Sequence, residues 1–249
     1  MKFRLVALLV VASIGGNARA AVEVDACGAR SRYDITFAAD ALVFERAAAP
    51  RRIELRDSGV YVDGARLVLN TEDGDRVQLF SRELRGLVAP LKALAQRALD
   101  LATGVVRAEA RGLVADPATR VEIDRRISTQ AAGLRARIAA SRGTREWQQD
   151  ALARDLDAAA TELVPLLATD AGGKALAALR AGDLGAAADV QAQAAAFGDR
   201  VLAKIGTRLD ALRPQFEALC PNLRGLAELQ QGLRDGNGRA LDLVDVDAH

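Results

Sequence analysis

The sequence predicts an α+β chain that is mainly α: a small N-terminal antiparallel β-meander followed by long helices forming antiparallel hairpins or a bundle. Three observations carry this expectation. Apolar and polar residues alternate between residues 33 and 69, but from residue 77 onward apolar residues recur at intervals of three and four. These are the periods of a half-buried strand and of an amphipathic helix. Half of the 249 residues are hydrophobic while only 4% are aromatic. A core of alanine and leucine with few rings suits closely packed helices. Turn and cap residues also fall where the period changes.

The elements follow in order. Met1-Lys2-Phe3-Arg4 is basic, Leu5 to Ile14 is apolar, and Ala18-Arg19-Ala20 is an A-x-A site. Residues 1–20 therefore read as a signal peptide cleaved after Ala20. The apolar run is about half the ~20 residues that span a bilayer. Residues 21–70 hold the meander. Tyr33, Ile35 and Phe37 alternate with Asp34 and Thr36, Leu42-Val43-Phe44 follows, and Ile53 and Leu55 alternate with charged neighbours. Asp57-Ser58-Gly59 marks a turn. Asp63-Gly64 marks a second one, of the two-residue hairpin kind that needs positive φ at both positions, with Val60-Tyr61-Val62 and Arg66 to Leu69 as its arms.

Residues 71–235 read as the helical region, in one domain with the meander. Asn70 or Thr71 caps the first helix, with Glu72 and Asp73 in its first turn. Pro90 is expected to kink or restart it. Asp116-Pro117 opens the next, whose stripe is Ile123, Ile127, Ala131, Leu134 and Ile138. Ser141 to Thr144 forms a short connection, and Thr144 is placed to cap a helix bearing Leu152, Leu156, Ala159, Leu163 and Leu167, disturbed by Pro165. A short link between two long amphipathic helices predicts an antiparallel hairpin. The Gly/Ala-rich stretch 169–186 reads as a looser joint with a short helix near Lys174 to Arg180. Val190 to Leu212 reads as one long helix, Pro214 breaks it, and Cys220-Pro221 opens the last. Residues 236–249 read as a flexible acidic tail, frayed from Asp235 on.

Charge and motif content exclude several function classes. The net charge of +1 gives no global attraction to nucleic acid. The single histidine, His249, is the last residue, where no imidazole is held between a nucleophile and an acid. Cys27 and Cys220 are the two cysteines. In an exported chain they read as one disulfide, which leaves no cysteine for zinc. Asp235 to Arg239 starts like a calcium loop but lacks its glycine and terminal glutamate. Gly172-Gly173-Lys174 lacks the other residues of a phosphate loop. The acidic tail, with Asp242, Asp245, Asp247 and His249, reads as solvated rather than metal-binding. No catalytic, cofactor or metal residue is assigned. The one candidate surface is basic: Arg125, Arg126, Arg135, Arg137, Arg142 and Arg145, which could meet anionic lipid head groups or another envelope polyanion or simply form a solvated helix face. Trp147, just beyond, reads as a packing residue at the hairpin tip or as an interfacial anchor.

The hairpin Gly59-Val60-Tyr61-Val62-Asp63-Gly64, the Leu69-Asn70 step into a helix with Gln78, Arg82, Leu84 and Arg85 before Pro90, and a cysteine near each end of the mature chain resemble the YggN-like family of bacterial periplasmic proteins, a family of unknown function. The resemblance implies a periplasmic location and supports the fold. It carries no catalytic or binding residue. The leading expectation is a non-enzymatic protein that binds an envelope component, possessing no cofactor. The partner expected is an envelope protein or a small amphiphile, with membrane-surface contact as an open question and no nucleic acid. The alternative is a carrier of an apolar or amphiphilic ligand between its helices; an Asp/Glu-based enzyme ranks third.

Overall fold

The structure is a computed structural model that describes residues 27–147 and 149–246; over 149–161, and at 3–4, 9–10 and 21–22, it describes the backbone alone. Two-residue strands β1 (Phe3–Arg4) and β2 (Leu9–Val10) pair with β4 (Arg30–Ser31) and β3 (Ala21–Val22). The remainder of the expected signal peptide, with its cleavage site, lies outside the described residues.

The chain is α+β and mainly α. β5 (Asp34–Phe37), β6 (Ala41–Glu45), β7 (Arg52–Arg56), β8 (Gly59–Val62) and β9 (Ala65–Arg66) form a five-stranded antiparallel meander in sequence order. Register aligns Ile35 with Phe44, Phe44 with Ile53, and Ile53 with Val62. Period-two alternation puts these residues, with Leu42, Leu55 and Val60, on one face, and all but Val62 are buried. Asp63 (φ 50°) and Gly64 (φ 85°) hold the left-handed conformations that the tight hairpin requires. The hairpin arm is shorter than its sequence predicts. β9 stops at Arg66, Val68 is almost fully exposed, and Leu67 and Leu69 turn back against the core.

Asn70 then caps α1 (Thr71–Leu113), its side chain accepting the Asp73 amide at 2.8 Å. At 1.5 Å per residue α1 is about 65 Å long, and it runs through Pro90 without a break. The carbonyl that Pro90 cannot satisfy belongs to exposed Gly86, where solvent is at hand. α1 is the spine of two hydrophobic clusters. Val77, Phe80, Leu84 and Leu87 close the sheet, whereas Ala98, Ala102, Val105 and Ala110 pack with later helices. Asp116 caps α2 (Pro117–Ala140), which folds back along α1 and contributes Ile123 and Ile127.

The link to α3 (Gln149–Arg180), which includes a short 3-10 turn at Thr144–Trp147, covers the outer edge of the sheet. Phe37 donates its amide to the Arg142 carbonyl at 2.7 Å, and Ile35 donates to Thr144 Oγ1 at 2.8 Å. Thr144 thus caps a strand edge instead of a helix, relieving the hazard of unpaired edge groups.

Residues 169–180 are not a looser joint carrying a separate short helix near Lys174 to Arg180. They continue α3 without interruption, because Asp170 accepts the Ala115 and Asp116 amides and Lys174 donates to the Leu113 carbonyl. Gly182 (φ 75°) ends α3, with Gly182 N–H bonded to Leu179 O and Asp183 N–H to Ala178 O. Where one long helix was expected there are two, α4 (Leu184–Ala195) and α5 (Phe197–Asp210). The break at Ala196 lets α4 stay on α3 while Phe197, Val201, Ile205 and Leu209 turn onto α1. α6 (Arg213–Glu217) follows, with Pro214 in its first turn, and α7 (Cys220–Leu229) returns to the sheet, burying Leu223 and Leu226.

The predicted frayed tail is the largest correction. Leu241, Leu243 and Val244 are at most 2% exposed and complete the sheet core. Asp245 and Arg30 exchange both backbone hydrogen bonds, at 2.6 and 2.7 Å, and Ser31 Oγ donates to Leu243 O at 2.7 Å. Asp235 is buried as the hub of the preceding turn and accepts the Asn237 and Arg239 amides. Residues 235–246 are therefore an ordered strap. Cys27 and Cys220 are joined, so the start of the described chain is tied both to α7 and to this strap.

Candidate functional site

The basic surface predicted on α2 exists as side chains but not as an open field of charge. Glu122 receives both Arg125, through two bonds at 2.8 and 2.7 Å, and Arg126 at 2.7 Å. These two guanidiniums hold the Glu122 carboxyl down at about 2. Arg126 also donates to the Glu162 carbonyl of α3 at 3.1 Å. Arg135 crosses to Asp100 of α1, and Arg145 crosses to Asp34 of β5. Arg137 is exposed near the end of α2 and its carbonyl accepts the Ser141 amide. Arg142 is exposed, while its backbone joins Glu146 and Phe37. Arg125, Arg126 and Arg135 thus brace α2 internally or against α1 and α3, and Arg145 braces the following 3-10 turn against the sheet. Such exposed pairs add little stability individually, yet each partnered cation has less attraction to offer a polyanion.

An open groove of about 350 Å³ lies between α1 and the α4–α5 junction, lined by Ala108, Glu109, Gly112, Leu113, Gln193 and Arg200. Its one carboxylate, Glu109, is paired with Lys204 and with Arg200 at 3.5 Å. The Lys204 bond first, and then the Arg200 bond, hold its carboxyl below the usual range. A carboxylate so held stays ionised at neutral pH and is a poor proton acceptor. Among the described residues no three His, Cys, Asp or Glu side chains gather into a metal site. Asp242 is exposed on the strap, and Asp245 is engaged there through its backbone; Asp247 and His249 lie outside the described residues.

The feature that sequence reasoning missed is at the far end of the helices from the sheet. Leu176 is 53% exposed, Leu179 49% and Leu184 72%, all flanking the Gly182 turn between α3 and α4. Val121, 70% exposed, lies one turn into α2 at the same end of the molecule. Outside this end, Val68 and Trp147 are the exposed large apolar residues among those described. Among the described residues Lys174 makes the last hydrogen bond from α3 to α1, and α3 continues six residues, roughly 9 Å, beyond it. α4 packs on α3 along this stretch and buries only Ala187. The signal was present in the sequence: three leucines in a Gly/Ala-rich stretch.

The family described as "Protein of unknown function (DUF2884)" matches residues 27–238, and the chain belongs to that family. No curated protein and no solved structure matches it.

Proposed function

We propose, from this membership in a family of unknown activity, that the protein is exported, resides in the periplasm, and works without catalysis by binding another component of the cell envelope through its α3–α4 hairpin. The observation that carries the reading is the cluster Leu176, Leu179 and Leu184 at the hairpin end. Apolar surface gathered at one place marks an interaction site, whereas scattered exposed leucines do not. The N-terminal pattern Met1 to Ala20 supports export, as does the Cys27–Cys220 bond, since disulfides persist in oxidising compartments. The resemblance to the YggN-like family of bacterial periplasmic proteins supports the compartment. The carrier reading ranks lower because the groove at Glu109 is open and half lined by charged or polar groups, whereas apolar ligands call for an enclosing apolar pocket.

The test is photo-crosslinking in the host cell. A photoreactive residue at Leu179 is expected to give a discrete adduct that the same probe at exposed Asp242 does not give. Absence of an adduct at Leu179, or equal labelling at the two positions, refutes the reading.

A further inference from the structure

We propose that the component met by the hairpin end is a phospholipid bilayer surface, with Leu176, Leu179 and Leu184 entering the boundary between head groups and acyl chains. This rests on the binding reading above and names its partner. Four observations carry it.

The first is reach. The end of α3 extends roughly 9 Å past Lys174, and interfacial helices bury about 5–10 Å into that boundary. The second is the state of the backbone. A turn entering a lipid interface is favoured when part of its own backbone is already hydrogen-bonded, and here three amides are. Gly182 and Asp183 donate to Leu179 and Ala178 carbonyls, and Asp183 Oδ1 accepts the Ala186 amide at 2.8 Å.

The third is charge. Of the other ionised groups near this end, Asp170 is engaged with Lys174 and two amides and Asp116 with the Thr119 amide, while Asp189 is exposed further along α4. Arg180 and Asp183, one of each sign, flank the turn. They match the two charges of a zwitterionic head group and hold the end at head-group depth. The fourth is size. Three partly exposed leucines around one turn fall far short of the roughly 800 Å² per partner that a stable protein interface buries. A bilayer sets no such minimum and closes around the end of a hairpin. No helix among the described residues is long and apolar enough to cross a membrane, so the contact is peripheral.

The experiment is flotation of the purified, disulfide-bonded chain with vesicles of pure phosphatidylcholine and of phosphatidylcholine with phosphatidylglycerol. The native chain is expected to float with both, its affinity changing less than about threefold between low and high salt, because apolar contact is not screened. The triple variant Leu176→Ser, Leu179→Ser, Leu184→Ser is expected to lose about tenfold or more. Its circular dichroism at assay temperature should match the native chain's, since Leu176 and Leu179 are only about half buried and Leu184 less. A native chain that stays at the bottom with both vesicles overturns the bilayer proposal. So does binding only to anionic vesicles that salt abolishes, or a triple variant that floats like the native chain. Should flotation fail while the Leu179 probe captures a protein in cells, or a second copy, the binding reading stands and the lipid partner falls. Failure of both removes both.

Discussion

Leu243→Ala separates an ordered strap from a frayed tail. Leu243 is completely buried, between Leu241 and Val244, against the sheet face and α7. Its backbone amide donates to Gln230 Oε1 at 2.7 Å and its carbonyl accepts Ser31 Oγ at 2.7 Å. The substitution leaves both bonds in place and removes only the isobutyl group. Fully buried Leu→Ala changes cost about 2.7–5 kcal/mol, the loss of transfer energy plus the cavity left behind. The strap is tied down on both sides of residue 243, by the Asp235 turn and by the Arg30–Asp245 pair, so it can collapse only partly into that cavity. We expect about 3 kcal/mol. For a domain of this size each kcal/mol lowers Tm by about 2–4 °C, giving a drop of roughly 6–12 °C in thermal melts followed by circular dichroism. Asp242→Ala, one residue away and exposed, is the matched control and should stay within about 0.5 kcal/mol. If Leu243→Ala also changes stability by less than about 0.5 kcal/mol, the strap is not part of the core and the packing argument is wrong.

Gly143→Ala tests the covered sheet edge: a Cβ there would stand 2.6 Å from the Ile35 carbonyl oxygen. The connector must back away, at a cost of about 1–3 kcal/mol, and hydrogen exchange at the Ile35 and Phe37 amides should accelerate; unchanged exchange would refute the edge contact. Glu109, lowered by Lys204 and Arg200, contributes stability that is fully present above the ordinary glutamate range and is lost as pH falls through its lower folded value. Glu109→Gln should therefore narrow its gap to the native chain as pH drops from 6 toward 3 in denaturant titrations. A gap that stays constant with pH would show that the pair has no energetic role.

Legibility followed the range of the interaction. Asn70, Asp116 and Asp63-Gly64 each act within three or four residues, so their roles were readable locally, and each is found in its expected place. The Cys27–Cys220 pairing was readable because no other partner existed. Thr144 has the chemistry of a cap, but which donor it serves was a tertiary matter, and Ile35 lies more than a hundred positions away. The arginines of the basic stretch are visible in the sequence, while the carboxylate partners of Arg135 on α1 and of Arg145 on β5 have no signature there. At the strap the signal was misweighted. Leu241 and Leu243 flank Asp242 with strand alternation, but the neighbouring acids drew the reading toward solvent. The hairpin end failed for a related reason, since Gly172-Gly173 reads as a break until the ties of Asp170 and Lys174 are known.

The strap also sets a timetable for folding. The core it completes begins with the sheet and the first turns of α1, yet its closing side chains are Leu241, Leu243 and Val244. At a synthesis rate of about 5–20 residues per second, the meander waits roughly ten to thirty seconds for them. During that interval its apolar face is covered by the first turns of α1 alone, so the core of the part-made chain is incomplete. Closure then demands a contact between residues 30 and 245, a long loop whose entropy must be met before the pairing rewards it.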